Sequence, residues 1–318
     1  MKVRTNTLQK TRQKTRMERF KISFSRNKYL YLLALPGFIY LILFAYKPMV
    51  GLLMAFEDYN ILDGIWGSDW VGLKHFKTFF SGADFWPVMR NTIKISLLQL
   101  LFGFPAPVLL AIIFNEIRDG KFKKVTQTVS YLPHFLSWIT IAAMMTTLLS
   151  PSTGLVNNLL VKLGFEPVYF LAEKDMFVPI LIISNIWKEV GWETVIYLAA
   201  LAGLDQETGE AAIIDGCTRF QKIRYINVPY LLSTVAIMLI LRMGGILNAG
   251  FDQIFNLYSP ATYEVADVLD TYVYRLGIQG FQYSLSTAIG LFKSVVGIIM
   301  VLVTNWLTKR LSDGEVSI

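Results

Sequence analysis

Lys188, Glu189, Glu193, Arg242 and Lys293 stand near the middle of otherwise apolar runs of this chain. A charge at the centre of a membrane helix costs about 2.5–3.5 kcal/mol on insertion scales, so such residues mark functional positions. Glu189 and Glu193 are four residues apart and share a helix face, with Trp192 beside them. Two arrangements suit these side chains. In one, the charges pair with each other, for example Glu189 or Glu193 with Arg242, and fix helix packing. In the other, they line a polar pathway with Trp187, Trp192, Tyr197 and Asn248. Lys94 differs: near the outer end of its helix, its ammonium snorkels to the interface.

Covalent chemistry has little to work with. His75 and His134, the two histidines, fall on opposite sides of the membrane in the topology below and cannot share a site. Cys217 is the one cysteine; no histidine lies in its loop to activate it, and no disulfide can form within the chain. No catalytic set and no metal-ligand set is present. A G-x-x-x-x-G-K-[ST] phosphate loop is also absent, since Gly120-Lys121 is followed by Phe122. The chain is not its own ATPase, and any energy comes from a partner or an ion gradient.

The elements that must hold these residues are membrane helices. Of 318 residues, 54% are hydrophobic and 17% charged, against roughly 25% charged in an average globular chain. Mean hydropathy is +0.47. Six windows approach or exceed the roughly 20 helical residues that cross a bilayer: 29–46, 92–114, 129–149, 177–201, 230–248 and 285–308. Pro105 and Pro107 predict a kink in the second. The expected fold is an all-α integral membrane domain over 29–308, between a basic tail (1–28) and a short C-terminal tail (309–318).

Lysine and arginine orient it. With the N-terminus inside, 19 basic residues fall in the cytoplasmic segments and 7 in the outer loops, so both termini are cytoplasmic by the positive-inside rule. The net charge of +7 is thus a topology anchor against anionic lipid headgroups. It does not indicate nucleic acid, because no aromatic-rich basic fold surrounds the tail. A cleaved signal peptide is not expected, because a long polar stretch precedes the first apolar run.

The cytoplasmic loop 202–229 reads LAGLDQETGEAAIIDGCTRFQKIRYINVP from Leu201. Asp205 is placed to cap a short helix through Glu210, Ala211 and Ala212, and Gly216 gives a sharp exit after Asp215. A second amphipathic stretch puts Phe220, Ile223 and Ile226 at three-residue spacing and ends at Pro229. Two short helices at an angle form a knob suited to a groove on a partner.

At these residues the chain resembles the permease subunits of binding-protein-dependent ABC importers. Their signature is EAA, a glycine, nine residues and I-x-L-P; here Glu210, Ala211, Ala212, Gly216, Ile226 and Pro229 match, with valine at 228. The resemblance extends through FAYKPMVGLLMAFEDYN, VTQTVSYLPHFLSW, WKEVGWETVIYLAALAGLD and VADVLDTYVYRLGIQGFQYSLSTAIGLFKSVVG. It is closest to the LplB-like carbohydrate branch, which includes permeases for alginate and other polysaccharide-derived oligosaccharides.

The resemblance implies a six-span type I importer permease of the bacterial plasma membrane. It works by alternating access with a second, homologous permease, two ATPase subunits and an extracellular solute-binding protein. ATP and magnesium are bound by the ATPase, and no cofactor by this chain. Glu210 to Pro229 dock the ATPase. The polar residues of the spans then contact an oligosaccharide, for which aromatic faces and hydrogen-bonding side chains are suited. Three cations favour a uronate, and two glutamates blur that preference. Trp66, Trp70, Asp252, Gln253, Asp267 and Asp270, in the outer loops 47–91 and 249–284, fall on the docking surface for the binding protein. The alternatives are an ion-driven secondary carrier, in which Glu189, Glu193 and Lys293 relay ions, and a small-solute permease sharing only the loop motif.

Overall fold

The computed structural model describes Met17 and residues 26–311. Most of the basic N-terminal tail and residues 312–318 lie outside the described residues. The described residues up to Leu53 and those from Met54 onward form separate compact units. In the first, α1 (Lys28–Leu41) continues through a π-helical turn, Ile42–Tyr46, into a 3-10 segment that begins at Lys47.

The second unit opens with a two-residue antiparallel ladder, Glu57–Asp58 against Asp69–Trp70. Besides the single turns Gly64–Gly67 and Tyr263–Ala266, its helices are α2 (Lys74–Ser81), α3 (Phe85–Leu98), α4 (Pro105–Glu116), α5 (Lys121–Tyr131), α6 (Trp138–Leu148) and α7 (Leu155–Lys162). There follow α8 (Lys174–Ala202), α9 (Gln206–Ile214), α10 (Arg219–Lys222) and α11 (Val228–Gly244). The last are α12 (Phe251–Leu257), α13 (Leu269–Tyr274) and α14 (Tyr283–Leu311). Among the described residues, four rods are long and apolar enough to cross a membrane: Lys28–Phe56, Phe85–Glu116, Arg219–Gly244 and Tyr283–Arg310. Helix α8 matches them in length at 29 residues but carries the mid-helix charges.

Proline shapes three of these rods in one way. Its ring blocks the hydrogen bond to the fourth carbonyl back, and a wider turn relieves the clash. π-Helical turns accordingly precede Pro48, Pro105 and Pro229, at Ile42–Tyr46, Gln99–Gly103 and Ile223–Asn227. The kink anticipated at Pro105 is realised as such a turn, with the Phe104 amide donating to the carbonyl of Gln99.

Three elements differ from the sequence reading. The window 129–149 is not one helix. Amphipathic α5 ends at Tyr131, a 3-10 turn (Leu132–Phe135) follows, Leu136 and Ser137 are extended, and α6 restarts with Ser137 as its N-cap. Pro133 stands in that turn, and the amide it lacks would have continued α5. The Phe220–Pro229 stretch is not a separate short helix either; it is the first part of the rod Arg219–Gly244. Finally, much of 249–284 is core and not open loop. Ile254, Ala266, Val268, Leu269 and Thr271 are fully buried.

Polar residues hold that segment in place. Asn91 Nδ2 donates to the carbonyls of Glu264 (2.9 Å) and Asp267 (3.1 Å), and Thr92 Oγ1 accepts the Leu269 amide at 2.9 Å. Gln99 Nε2 reaches the Ala249 carbonyl at 3.3 Å. An irregular backbone inside a bundle needs such partners, because no water reaches it. Helix α8 is the central post: it packs along α4, contacts α11 and crosses α5 so closely that a Cβ on Gly191 would lie 1.9 Å from the Ser130 carbonyl oxygen.

Candidate functional site

The charged face of α8 meets the break between α5 and α6. Lys188 is buried, and its ammonium donates to the His134 carbonyl at 2.8 Å and to Glu189 Oε1 at 2.9 Å. The break leaves carbonyls without helical partners, and Lys188 satisfies one of them. It also lies 5.6 Å from the centroid of the Trp138 ring. Glu189 Oε2 sits 2.6 Å from His134 Nδ1. The His134 ring stacks on Trp192 with centroids 4.7 Å apart and planes 5° from parallel. One turn further on, Glu193 Oε1 accepts from Arg242 Nη1 of α11 at 3.1 Å.

His134 is thus part of the constellation, although the sequence reading leaves it outside the polar set. The signal available was Pro133, which breaks the helix and turns His134 toward α8. The structure joins Lys188, Glu189, Trp192, Glu193 and Arg242 into one partly exposed stripe. It separates the other residues proposed for the pathway. Tyr197 is only 2% exposed and packs with Ala111, Ile112 and Leu231, so it is a core residue here. Trp187 lies in an apolar groove with Ile141, Met144 and Ile180. Asn248 is in the turn after α11, its amide bonded to the Gly245 carbonyl at 2.8 Å. Lys293 of α14 pairs with Asp270, linking a residue assigned to the pathway with one assigned to docking.

On the docking side, Trp66 and Trp70 are exposed, and Trp70 stacks on Phe56 at 5.6 Å. Asp252 is exposed. Gln253 is not on the surface: it is 1% exposed, and its Nε2 donates to the Leu181 carbonyl (2.7 Å) and to Ser184 Oγ (2.9 Å), pinning α12 to α8. Asp267 is turned inward and grips Arg275 with both oxygens, at 3.1 and 2.6 Å. Nearby, the hydrogen bond from Lys74 to Asp58 holds that carboxyl below its usual range, with His75 3.1 Å away on the other oxygen.

The knob is built from local rules. Asp205 Oδ1 accepts the Glu207 amide at 3.0 Å and caps α9. At the other end, the Gly216 amide donates to Ile213 and the Cys217 amide to Ala212, with Gly216 at φ +80°. This Schellman closure needs a left-handed residue. Thr218 and Gln221 then form a reciprocal capping box that starts α10. Glu210, Ala211, Ile213, Ile214, Asp215 and Phe220 are exposed, Ile223 and Ile226 half-buried, and Pro229 exposed inside the rod. Glu210 makes no side-chain hydrogen bond or ion pair among the described residues. Buried Asn227 anchors the base of the knob to Glu116, at the end of α4, at 3.3 Å.

Comparison with known proteins follows the same outline. Residues 103–313 match the family model described as binding-protein-dependent transport system inner membrane component. The chain is 46% identical over 288 residues to the protein LplB of Bacillus subtilis, covering 91% of each. It is 42% identical to the polygalacturonan/rhamnogalacturonan transport system permease protein YteP of the same organism, over 95% of this chain and 94% of that one. A crystal structure of a bacterial alginate ABC transporter, in complex with an alginate pentasaccharide-bound periplasmic protein, contains a chain that superposes with a TM-score of 0.87. That chain is 43% identical, and the match covers 95% of the present chain and all of that one.

Proposed function

We propose, from the premise that this chain belongs to the family of binding-protein-dependent transport system inner membrane components, that it forms one permease half of an ABC importer for a uronate-containing oligosaccharide. The chain does no covalent chemistry. ATP and magnesium are handled by a pair of partner ATPases, and a second permease completes the pathway. An extracellular solute-binding protein delivers the sugar. The termini are cytoplasmic, on the side where the basic residues gather.

The observation that carries the reading is the knob. Its capped ends fix its shape, while Ile213 and Ile214, three and four residues after Glu210 on α9, and Phe220 on α10 expose large apolar side chains. Exposed apolar side chains grouped around a charge mark a protein-docking surface. The knob joins α8 through the short link after Ala202 and runs directly into α11 through α10. These two helices carry Glu193 and Arg242. Force applied to the knob when the ATPases close is therefore delivered to both sides of that ion pair, whose rearrangement opens the pathway in turn to each side. The cargo class is supported by the acidic polysaccharides named for the relatives. Trp192 offers an aromatic face, and Arg242 a cation for a carboxylate.

The test is ATP hydrolysis by the assembled transporter in proteoliposomes. A binding protein loaded with an oligogalacturonate or an oligoalginate is expected to stimulate hydrolysis, and one offered neutral malto-oligosaccharides is not. A Glu210→Lys variant is expected to lose the ATPase in a pull-down. Transport that survives ATP depletion would overturn the importer reading in favour of an ion-driven carrier. Stimulation by neutral sugars alone would overturn the uronate.

A further inference from the structure

Two cavities on the flank of α3 share Lys94. The lower, about 490 Å³, runs between the α3 rod and α8, with Leu98 and Phe102 on one wall and Val178, Ile182 and Ile186 on the other. The upper, about 770 Å³, is bordered by Trp86, Arg90 and Glu264. From Lys174 at its mouth to Ile186 at its foot the lower groove spans a rise of about 18 Å at 1.5 Å per residue. One leaflet of a bilayer has about 15 Å of hydrocarbon. The groove is thus the depth of a single leaflet, apolar below and polar only at the outer end.

The charges at that end are unequal. Lys174 pairs with Glu264, and Asp175 stands beside it. Arg90 and Lys94, one turn apart on α3, are exposed and make no hydrogen bond or ion pair among the described residues. Against Asp175 and Glu264, the three cations leave a surplus of one positive charge. Trp86 continues the stripe one turn higher and is exposed, as interfacial tryptophans are.

We infer that this groove holds an anionic glycerophospholipid of the outer leaflet, one acyl chain lying between α3 and α8 and the phosphate on Lys94 and Arg90. The single negative phosphodiester of phosphatidylglycerol matches the surplus charge. An oligosaccharide fits poorly, because the lower walls offer no polar side chain to its hydroxyls. The lipid fastens α8, which bears the Glu193–Arg242 contact, to the rod of α3.

The experiment is native mass spectrometry of the full chain, purified in mild detergent with its co-purifying partners and titrated with phosphatidylglycerol or phosphatidylcholine. The wild type is expected to retain phosphatidylglycerol about tenfold more strongly, the size expected when cations meet an anionic headgroup. The Arg90→Gln/Lys94→Gln variant, changed only at exposed positions, is expected to hold the two lipids equally. An Ile182→Trp variant, which fills the groove, is expected to retain neither. Equal retention by the wild type, or an unchanged preference in the double variant, overturns the proposal. So does displacement of the lipid by a tetragalacturonate, which would make this a saccharide site. A Leu98→Cys cross-link to the second permease would also overturn it, by showing that a protein chain fills the groove.

Discussion

Gly216 shows how one residue can decide the shape of the proposed docking surface. A side chain at its φ of +80° meets no neighbouring atom, so the obstacle to substitution is backbone strain and not space. That strain is about 1–2 kcal/mol for an L-residue, more for a β-branched one. Gly216→Val is expected to fray the end of α9 and lower substrate-stimulated ATP hydrolysis severalfold, while circular dichroism of the whole protein stays unchanged. Wild-type stimulation would show that the Schellman closure is dispensable. His134 works through different physics. Its ring covers Trp192 and its Nδ1 meets Glu189. His134→Ala uncovers the indole and leaves Glu189 with Lys188 alone. Intrinsic tryptophan fluorescence is expected to shift to the red and half-maximal transport to require more substrate. An unchanged spectrum and unchanged kinetics would remove His134 from the site.

At the scale of elements, α5 crosses α8 at Gly191 with no room for a side chain. A Cβ at Gly191 would press on the backbone of Ser130 and Tyr131, which cannot swing aside as a side chain can. Gly191→Ala is therefore expected to lower the melting temperature by about 3–10 °C, from an overpacking penalty of about 1–3 kcal/mol. A melting curve unchanged in the detergent-purified chain would show that the two helices are free to separate. Elements whose cause is local were readable beforehand. The apolar windows other than 129–149, the Asp205 cap, the Gly216 exit and the effect of Pro105 all follow from residues within a turn or two. What escaped depends on distant partners. The segment 249–279 reads as a loop because its backbone is met by Asn91, Thr92 and Gln99, and its own Gln253 pins it to Leu181 and Ser184 of α8; all four look like ordinary polar residues of their helices. Pro133 lies within 129–149, where the apolar length of the window points to an unbroken span, and the break stands because Lys188 on another helix donates to its loose carbonyl. The pairing of Glu193 with Arg242 was one of the two arrangements anticipated; that of Glu189 with His134 was not.

Across the whole transporter, the Glu193–Arg242 pair is the natural place for the knob to be felt. Both side chains are partly exposed, at 31% and 37%, so as a surface contact it would contribute only about 0–1 kcal/mol. A small coupling is what a transporter needs between two states of nearly equal energy, since about 1 kcal/mol already shifts their ratio about fivefold. If the pair holds the resting orientation, Arg242→Ala or Glu193→Gln should let the pathway open without a signal. Basal ATP hydrolysis is then expected to rise about fivefold, stimulation by the loaded binding protein to shrink, and the ATPase to remain bound in a pull-down. The exchange Glu193→Arg/Arg242→Glu separates this role from direct contact with cargo. It restores the attraction while reversing which helix presents the cation. Recovery of low basal hydrolysis together with continued loss of uptake would assign the pair to both tasks. Recovery of both would make it a latch alone, and recovery of neither would detach it from the coupling route between knob and pathway.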